Sequence, residues 1–357
     1  GNEQRETLES GLFSSKSGGF TGVGLQPTYQ PARDKKSEIL FCKNTTKNFG
    51  IDVVPFGAIS KDLKGEQLAE MFDMYNAGAL AFSDNMRPIH NSGLFSRALL
   101  YAKNFNGLII SFPYEEKISP NGLINEGVVS TKLGLEGIPD LSEELMVNRD
   151  LLINKYHEGR LHFNILSSKK SLEHIEVAKK TQNNLSCGTS IFHLLFDDEI
   201  INQFDNRFKI LPPFRTKEDR NALLEGVKNG TIDVITSYHQ PNEKETTNVE
   251  FSLSPFGSIG TQICFPLALT YLKEYIGLEK IVQCMSINPR TILQCEVPII
   301  KEGYGANMTL FNPDKKWIYN KNNNTSMSEN TGLFGAELNG FVHGTIHESN
   351  YHKNLLK

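Results

Sequence analysis

Short apolar runs alternate with longer amphipathic ones along most of the chain. The apolar runs at 20–25, 51–56, 79–83, 108–111, 161–166, 185–189 and 232–236 predict strands. They are too apolar for a one-sided sheet, which is the pattern of strands covered on both faces. Between them, the stretches 65–76, 95–105, 142–156, 171–180 and 217–229 predict helices with one apolar face. This alternation predicts a parallel sheet wrapped by helices. Seven strand–helix units are visible, one short of a closed eight-stranded barrel, and the chain opens on a helix.

Segment 114–141 carries Pro120, Asn121, Gly122, Pro139 and Asp140 and follows a strand, where barrels place functional loops. Segment 319–330 opens Tyr-Asn-Lys-Asn-Asn-Asn and reads as a solvated loop. The runs at 305–313 and 340–346 are short, β-like and separated by turns, so a small β unit is expected beside the barrel. We therefore expect a barrel over 1–298 and part of a β side domain over 299–357. A chain of 357 residues can bury a large core without staples. A net charge of -4 gives no electrostatic reason to expect nucleic acid or an anionic membrane as partner. No apolar run approaches the ~20 residues of a membrane span. The five cysteines are odd in number and lack CxxC spacing, so they read as buried reduced thiols in a cytoplasmic protein.

Several runs occur in a fixed order. Gly1-x-Glu3-x-x-Glu6-Thr7-x-x-Ser10-Gly11 leads to Gly18-Gly19-Phe20-Thr21. Ile124-Asn125-Glu126-Gly127 follows, then Pro212-Pro213-Phe214-Arg215-x-x-Glu218-Asp219-Arg220. Ser254-Pro255-Phe256-Gly257-x-x-Gly260-x-Gln262, Ile287-Asn288-Pro289 and Gly305-Ala306-Asn307-Met308-Thr309-Leu310 complete the set. At this order and spacing the chain resembles a class I dihydroorotase of the amidohydrolase superfamily along nearly its whole length. The residues themselves read as structural. Gly18-Gly19 fits a left-handed helix cap, Asp219 and Arg220 a helix start, and Asn288-Pro289 a helix break. The resemblance implies an α/β fold, a (β/α)8 barrel with a small β side domain.

A dihydroorotase opens or closes a cyclic amide, using metal-bound hydroxide and a carboxylate that moves a proton. The resemblance implies zinc held at the C-terminal ends of barrel strands by a His-x-His, a bridging acid, two further histidines and an aspartate. The His-x-His would fall upstream of Gly1, with the first strand and half of the side domain. We expect an N-terminal segment of several tens of residues there, since two unpaired buried edges are costly. The family's Asp-Asp-Gly reads Asp84-Asn85-Met86 and puts the bridging acid at Asn85. The strand-five histidine falls at Phe112 or Pro113, depending on where a one-residue insertion is placed, and the strand-six histidine at Ile165. Asp-His-Ala-Pro-His reads Tyr238-His239-Gln240-Pro241-Asn242, so the proton-moving aspartate is Tyr238. Substrate-binding asparagines fall at Thr28 and Leu211, and His239 and Pro241 remain as pocket remnants. Imidazole and carboxylate ligands are thus replaced together, so neither a metal cofactor nor a catalytic residue is expected.

His162, His193 and His239 fall near strand ends. They read as retained hydrogen-bonded residues, with a replacement metal site as the competing reading. The other histidines read as surface. Two functions compete. One is a non-catalytic subunit whose partner, by the resemblance, is aspartate transcarbamoylase or an active dihydroorotase paralogue, or which forms a homo-oligomer. For it, segment 114–141 is either an interface or an inherited active-site loop. The other is a cyclic-amide hydrolase with one metal or none, using His239, Asp84 or Tyr238. A third, weaker reading has the barrel mouth bind a regulatory ligand without turnover.

Overall fold

The computed structural model describes residues 2–348 and 350–354. Gly1, which heads the first family-like run, lies outside them. Helix α1 (Leu8–Ser17) starts at Thr7, whose hydroxyl accepts the Ser10 N–H, while Ser10 Oγ accepts the Thr7 N–H. It ends at the glycine pair. Gly19 takes the left-handed φ of +92° expected there. Gly18 has ordinary helical backbone and is needed for another reason: a Cβ would stand 2.1 Å from the Thr261 carbonyl oxygen.

The units then follow in order: β1 (Gly22–Leu25), α2 (Lys36–Thr46), β2 (Asp52–Pro55), α3 (Met71–Asn76), β3 (Ala81–Phe82), α4 (Ser92–Lys103) and β4 (Leu108–Ser111). An excursion of β5 (Ile124–Asn125), α5 (Val128–Leu133) and β6 (Gly137–Ile138) precedes α6 (Leu141–His157). Next come β7 (Arg160–Phe163), α7 (Lys169–Lys179), β8 (Leu185–Ser190), α8 (Ile191–Leu195), α9 (Lys217–Asn229) and β9 (Val234–Thr236). Thr216 caps α9 reciprocally with Asp219, as the sequence predicts for a helix start. Helix α3 is shorter than the predicted 65–76, because Gly65 adopts φ +68° and residues 67–69 pair with 59–61 instead, Ala69 donating its N–H to Ile59 O at 2.9 Å. Asn288-Pro289 does not break a helix; it begins Asn288–Leu293 directly after a π-helical turn at Gln283–Ile287.

Strands β3, β4, β7, β8 and β9 form one parallel sheet, and β1 and β2 another. Gly57 joins them, donating its N–H to Ala81 O at 3.0 Å and accepting the Ser83 N–H at 2.9 Å. The result is a (β/α)8-type barrel with a separate antiparallel sheet of β10 (Asn307–Ile318), β11 (Glu337–His347) and β12 (Asn350–Lys353). Every residue of β4 and β8 is buried, as two-sided covering requires. β1 is only half-buried. Among the described residues no strand pairs with its outer edge or with the outer edge of β9. Between those edges lies a chamber of about 1570 Å³, reaching Gly24, Ile110, His162, Val234 and Ile292.

The side sheet is clasped to the first elements of the chain. Thr309 Oγ1 donates to Gly19 O at 2.7 Å, and Asn354 Nδ2 donates to Ser17 O and Val342 O. Asp52 receives Asn307 Nδ2 and His347 Nε2, both at 2.9 Å. The loop 319–330 is solvated only in part: Lys321, Asn322 and Met327 are exposed, while its two ends are tied down. Tyr319, Ser328 and Asn330 are buried, and Gln262 holds the loop through Asn323 O and the Thr325 N–H. Four cysteines are buried thiols, and Cys295 is half-buried. No helix among the described residues is long and apolar enough to cross a membrane.

Candidate functional site

The C-terminal strand ends converge on the mouth of the chamber. Beyond β3, Asn85 takes φ +55°, with its N–H donated to Ser83 Oγ at 2.9 Å. Asp84 is engaged in the opposite direction. It accepts the Ile59 N–H at 2.8 Å, the Ser60 N–H at 3.1 Å and the Ser60 hydroxyl. Burial pushes its carboxyl up to about 6, against the pull of those hydrogen bonds. Asp84 thus clamps the loop after β2.

Beyond β4, Phe112 is buried in an apolar cluster with Tyr114 and Ile138, against Met86, Leu211 and Phe256. Pro113 beside it is buried as well. Ile165, after β7, is 5% exposed and borders the chamber. Beyond β9, Tyr238 sits at φ +50° with its hydroxyl closed onto one residue. It donates to Leu211 O at 2.9 Å and accepts the Leu211 N–H at 2.8 Å. Burial drives this phenol far above its ordinary value, only partly offset by Leu211. Thr28 and Pro241 line the chamber rim. The structure thus brings Asn85, Ile165, Tyr238, Thr28, His239 and Pro241 to the chamber wall, while Phe112 and Leu211 belong to the apolar cluster beside it.

The three strand-end histidines are separately engaged. Pro212 O can only accept, so His193 Nε2, at 3.0 Å, carries the proton, and Nδ1 accepts from Ser190 Oγ at 2.7 Å. His162 Nδ1 meets Ser186 Oγ at 2.8 Å. His239 Nδ1 accepts the Gly260 N–H at 3.2 Å, and its Nε2 faces Glu6 at 3.5 Å. Among the described residues no group of three or more histidine, cysteine or acidic side chains is arranged to hold a metal.

Burial lowers His193 to about 4 and His162 to about 3, from an ordinary 6.5. Both are therefore neutral at pH 7. Unfolded, each would bind a proton below about 6.5, so the neutral native form loses stability as pH falls from there. For His193 the full effect is about 3 kcal/mol, reached near pH 4. Imidazole ¹⁵N NMR is expected to show His193 as the Nε2–H tautomer, with neither ring titrating above about pH 5. A midpoint near 6.5 for either would mean that its site is open to water.

Two features escaped sequence reading. The first is Glu6, which faces His239 and takes hydrogen bonds from Ser326 Oγ and the Met327 N–H. Burial alone would raise its carboxyl, but His239, Ser10 and Ser326 outweigh burial and hold it below the usual range. The brace joins the entry of α1, the end of β9 and the 319–330 loop. Its signal was the acidic pair in the opening run, which reads equally well as surface. The second is the pair of Glu143 and Arg215, both buried. Glu143 accepts the N–H groups of Ser167 and Ser168 and the Ser167 hydroxyl. Arg215 donates to Ser167 Oγ, Asn125 Oδ1, Ile138 O and Pro139 O. This network pins both β5 and β6, so segment 114–141 is held against the barrel beside the chamber and contributes no residue to its lining.

A family model described as Dihydro-orotase-like matches residues 1–171. The chain is similar to a dihydroorotase of Acetivibrio thermocellus, at 35% identity over 98% of this chain and 83% of that relative. It is similar to a dihydroorotase of Caldicellulosiruptor saccharolyticus at 37% identity, over 97% of this chain and 81% of that relative. Among solved structures, the L-hydantoinase (dihydropyrimidinase) of Arthrobacter aurescens superposes with a TM-score of 0.84 at 18% identity, covering 98% of this chain and 81% of that one.

Proposed function

The chain belongs to the dihydroorotase family of amidohydrolase-type barrels, and from that premise we propose that it is a non-catalytic member, kept for assembly with aspartate transcarbamoylase. One observation carries the first half of the reading. The positions matched to metal ligands hold Asn85, Phe112, Ile165 and Tyr238, and their surroundings are adapted to these replacements. Phe112 is packed among apolar side chains, and the Tyr238 hydroxyl is closed onto Leu211. An amide, a phenyl ring, an alkyl group and a neutral phenol do not fit zinc, which takes imidazole, thiolate or carboxylate. His193, the imidazole beside Tyr238, has both nitrogens in use.

The assembly half rests on economy and on family association. A barrel without turnover remains useful through its surface, and the partner that family resemblance suggests is the transcarbamoylase. Equilibrium dialysis against zinc is expected to leave well under one ion per chain at the barrel mouth. Stoichiometric zinc there would overturn the reading of the site. Mixed with aspartate transcarbamoylase from the same source, the chain is expected to co-elute on size exclusion. Separate elution at micromolar concentration would overturn the assembly role and leave the site reading standing.

A further inference from the structure

Three loops on one side of the barrel mouth leave apolar side chains bare next to each other. They follow β4, β8 and β9, and each buries one apolar residue while leaving another out. Val129, Ile201 and Phe251 are buried, whereas Val128, Phe204 and Leu253 are 85, 45 and 74% exposed. The loops are tied into one surface. Asn125 Nδ2, just ahead of α5, donates to Asp198 Oδ2 at 2.8 Å, and α5 packs beside the helical turn Asp198–Gln203. Phe204 follows that turn, and its ring meets the ring of Phe251 edge-on at 6.2 Å. Asn206 Nδ2 donates to Thr247 O at 3.1 Å, close to the exposed Val249. Single exposed apolar residues are ordinary, but a contiguous group inside a polar rim marks an interaction surface.

The rim around this group is acidic. Glu126, Glu199, Glu245 and Glu250 are exposed, and among the described residues none of them makes an ion pair. The cations beside them are mostly engaged. Arg207 pairs with Asp205 at 2.6 Å and Lys244 with Glu329 at 3.6 Å, which leaves Lys132 on α5. We infer that this rim is where the chain docks aspartate transcarbamoylase, and that the matching surface of that enzyme presents apolar side chains inside a ring of lysine or arginine. The inference rests on the assembly role proposed above and names its surface. Charge selects the occupant, because a second copy of this chain would set acid against acid while a basic partner is drawn in. A dry apolar centre within a wet charged rim is the anatomy of a specific interface. Position agrees. Segment 114–141 supplies Glu126 and Val128 yet lines no part of the chamber, as befits an interface element and not an inherited active-site loop.

The test uses the full chain and immobilised aspartate transcarbamoylase from the same source, read by surface plasmon resonance. The parent chain is expected to bind, and to associate about threefold or more slowly at ~300 mM salt than at ~50 mM, because unlike charges steer the encounter. The double variant V128R/L253R is expected to weaken binding about 100-fold or more, since it removes the apolar centre and sets cation against cation, while its circular dichroism stays native. If that variant does not fold, E199Q/E245Q/E250Q decides, because those side chains are exposed and unpaired. It is expected to associate more slowly at low salt and to lose most of the salt dependence, with dissociation nearly unchanged. Binding that V128R/L253R leaves intact, or a salt dependence that the three glutamines leave unchanged, would overturn this surface and leave the assembly role standing. A parent that does not bind at all would overturn both. A parent that self-associates, and is split by V128R/L253R, would overturn the transcarbamoylase as occupant of this face.

Discussion

Supplied with zinc and either carbamoyl aspartate or dihydroorotate, the purified chain is expected to turn over below about 10⁻² per second, against ~1–10³ per second for ordinary enzymes. The reaction needs a hydroxide made nucleophilic at neutral pH and a carboxylate that carries the proton. Losing one positioned proton carrier costs a factor of ~10²–10⁴. Losing the groups that generate the nucleophile removes the step that carrier serves, and the two losses do not add. Tyr238→Asp is not expected to restore activity. Phe112 and Ile165 would still offer no imidazole, and the new carboxyl would enter a pocket where Leu211 loses both of its hydrogen bonds. An unpaired carboxyl buried there takes up a proton and stays neutral. A continuous spectrophotometric assay checks both proteins. A metal-dependent rate above that bound in the parent chain would overturn the non-catalytic reading.

Arg215→Met is expected to cost about 3–5 kcal/mol of stability, because it leaves the buried Glu143 without its cation. The methionine fills similar space, so packing changes little. Burial already raises the Glu143 carboxyl, and the Arg215 charge is the largest effect pulling it back. Without that charge Glu143 should bind a proton at higher pH, so the variant's deficit should be largest near pH 8 and shrink toward pH 5. Urea unfolding at several pH values reads this directly. A deficit that does not change with pH would show that Arg215 acts through its hydrogen bonds to the 114–141 segment, and not through charge. Glu143→Gln in the same background is expected to recover part of the loss.

The strands were legible because each is a short apolar run, and all seven occur where such runs fall. What could not be read was their environment. The runs containing β1 and β4 both predict strands, yet β4 is buried and β1, which borders the chamber, is only half-buried. The substitutions at Asn85, Ile165 and Tyr238 were legible by register, since neighbouring motifs keep their spacing. Their packing was not, because an apolar residue in a sequence carries no sign of what it touches. The partners of charged residues were illegible for a related reason. Glu6 and Arg215 stand in runs that read as structural, but what they and Glu143 bind lies far away in sequence. The asparagines of 319–330 suggested solvent, and Asn322 is exposed, but others also satisfy backbone groups: Asn324 donates to Ser326 O and Ser328 O, and Asn320 Oδ1 accepts the Asn322 N–H.

The clasp between the start of the chain and its side sheet also bears on biosynthesis. Ser17 and Gly19 depend on Asn354 and Thr309, so these residues have partners made 337 and 290 residues later. The bond from Asn354 to Ser17 spans 337 residues. At ~5–20 residues per second, a ribosome needs tens of seconds to deliver the second half of that contact. During this interval α1 and β1 wait without the sheet that covers them, while the strand–helix units from β3 to β9 can pair in order as they emerge. The barrel wall is therefore expected to assemble vectorially and this clasp to close after it, so that ribosome-associated chaperones meet the α1–β1 region longer than the strand–helix units from β3 to β9.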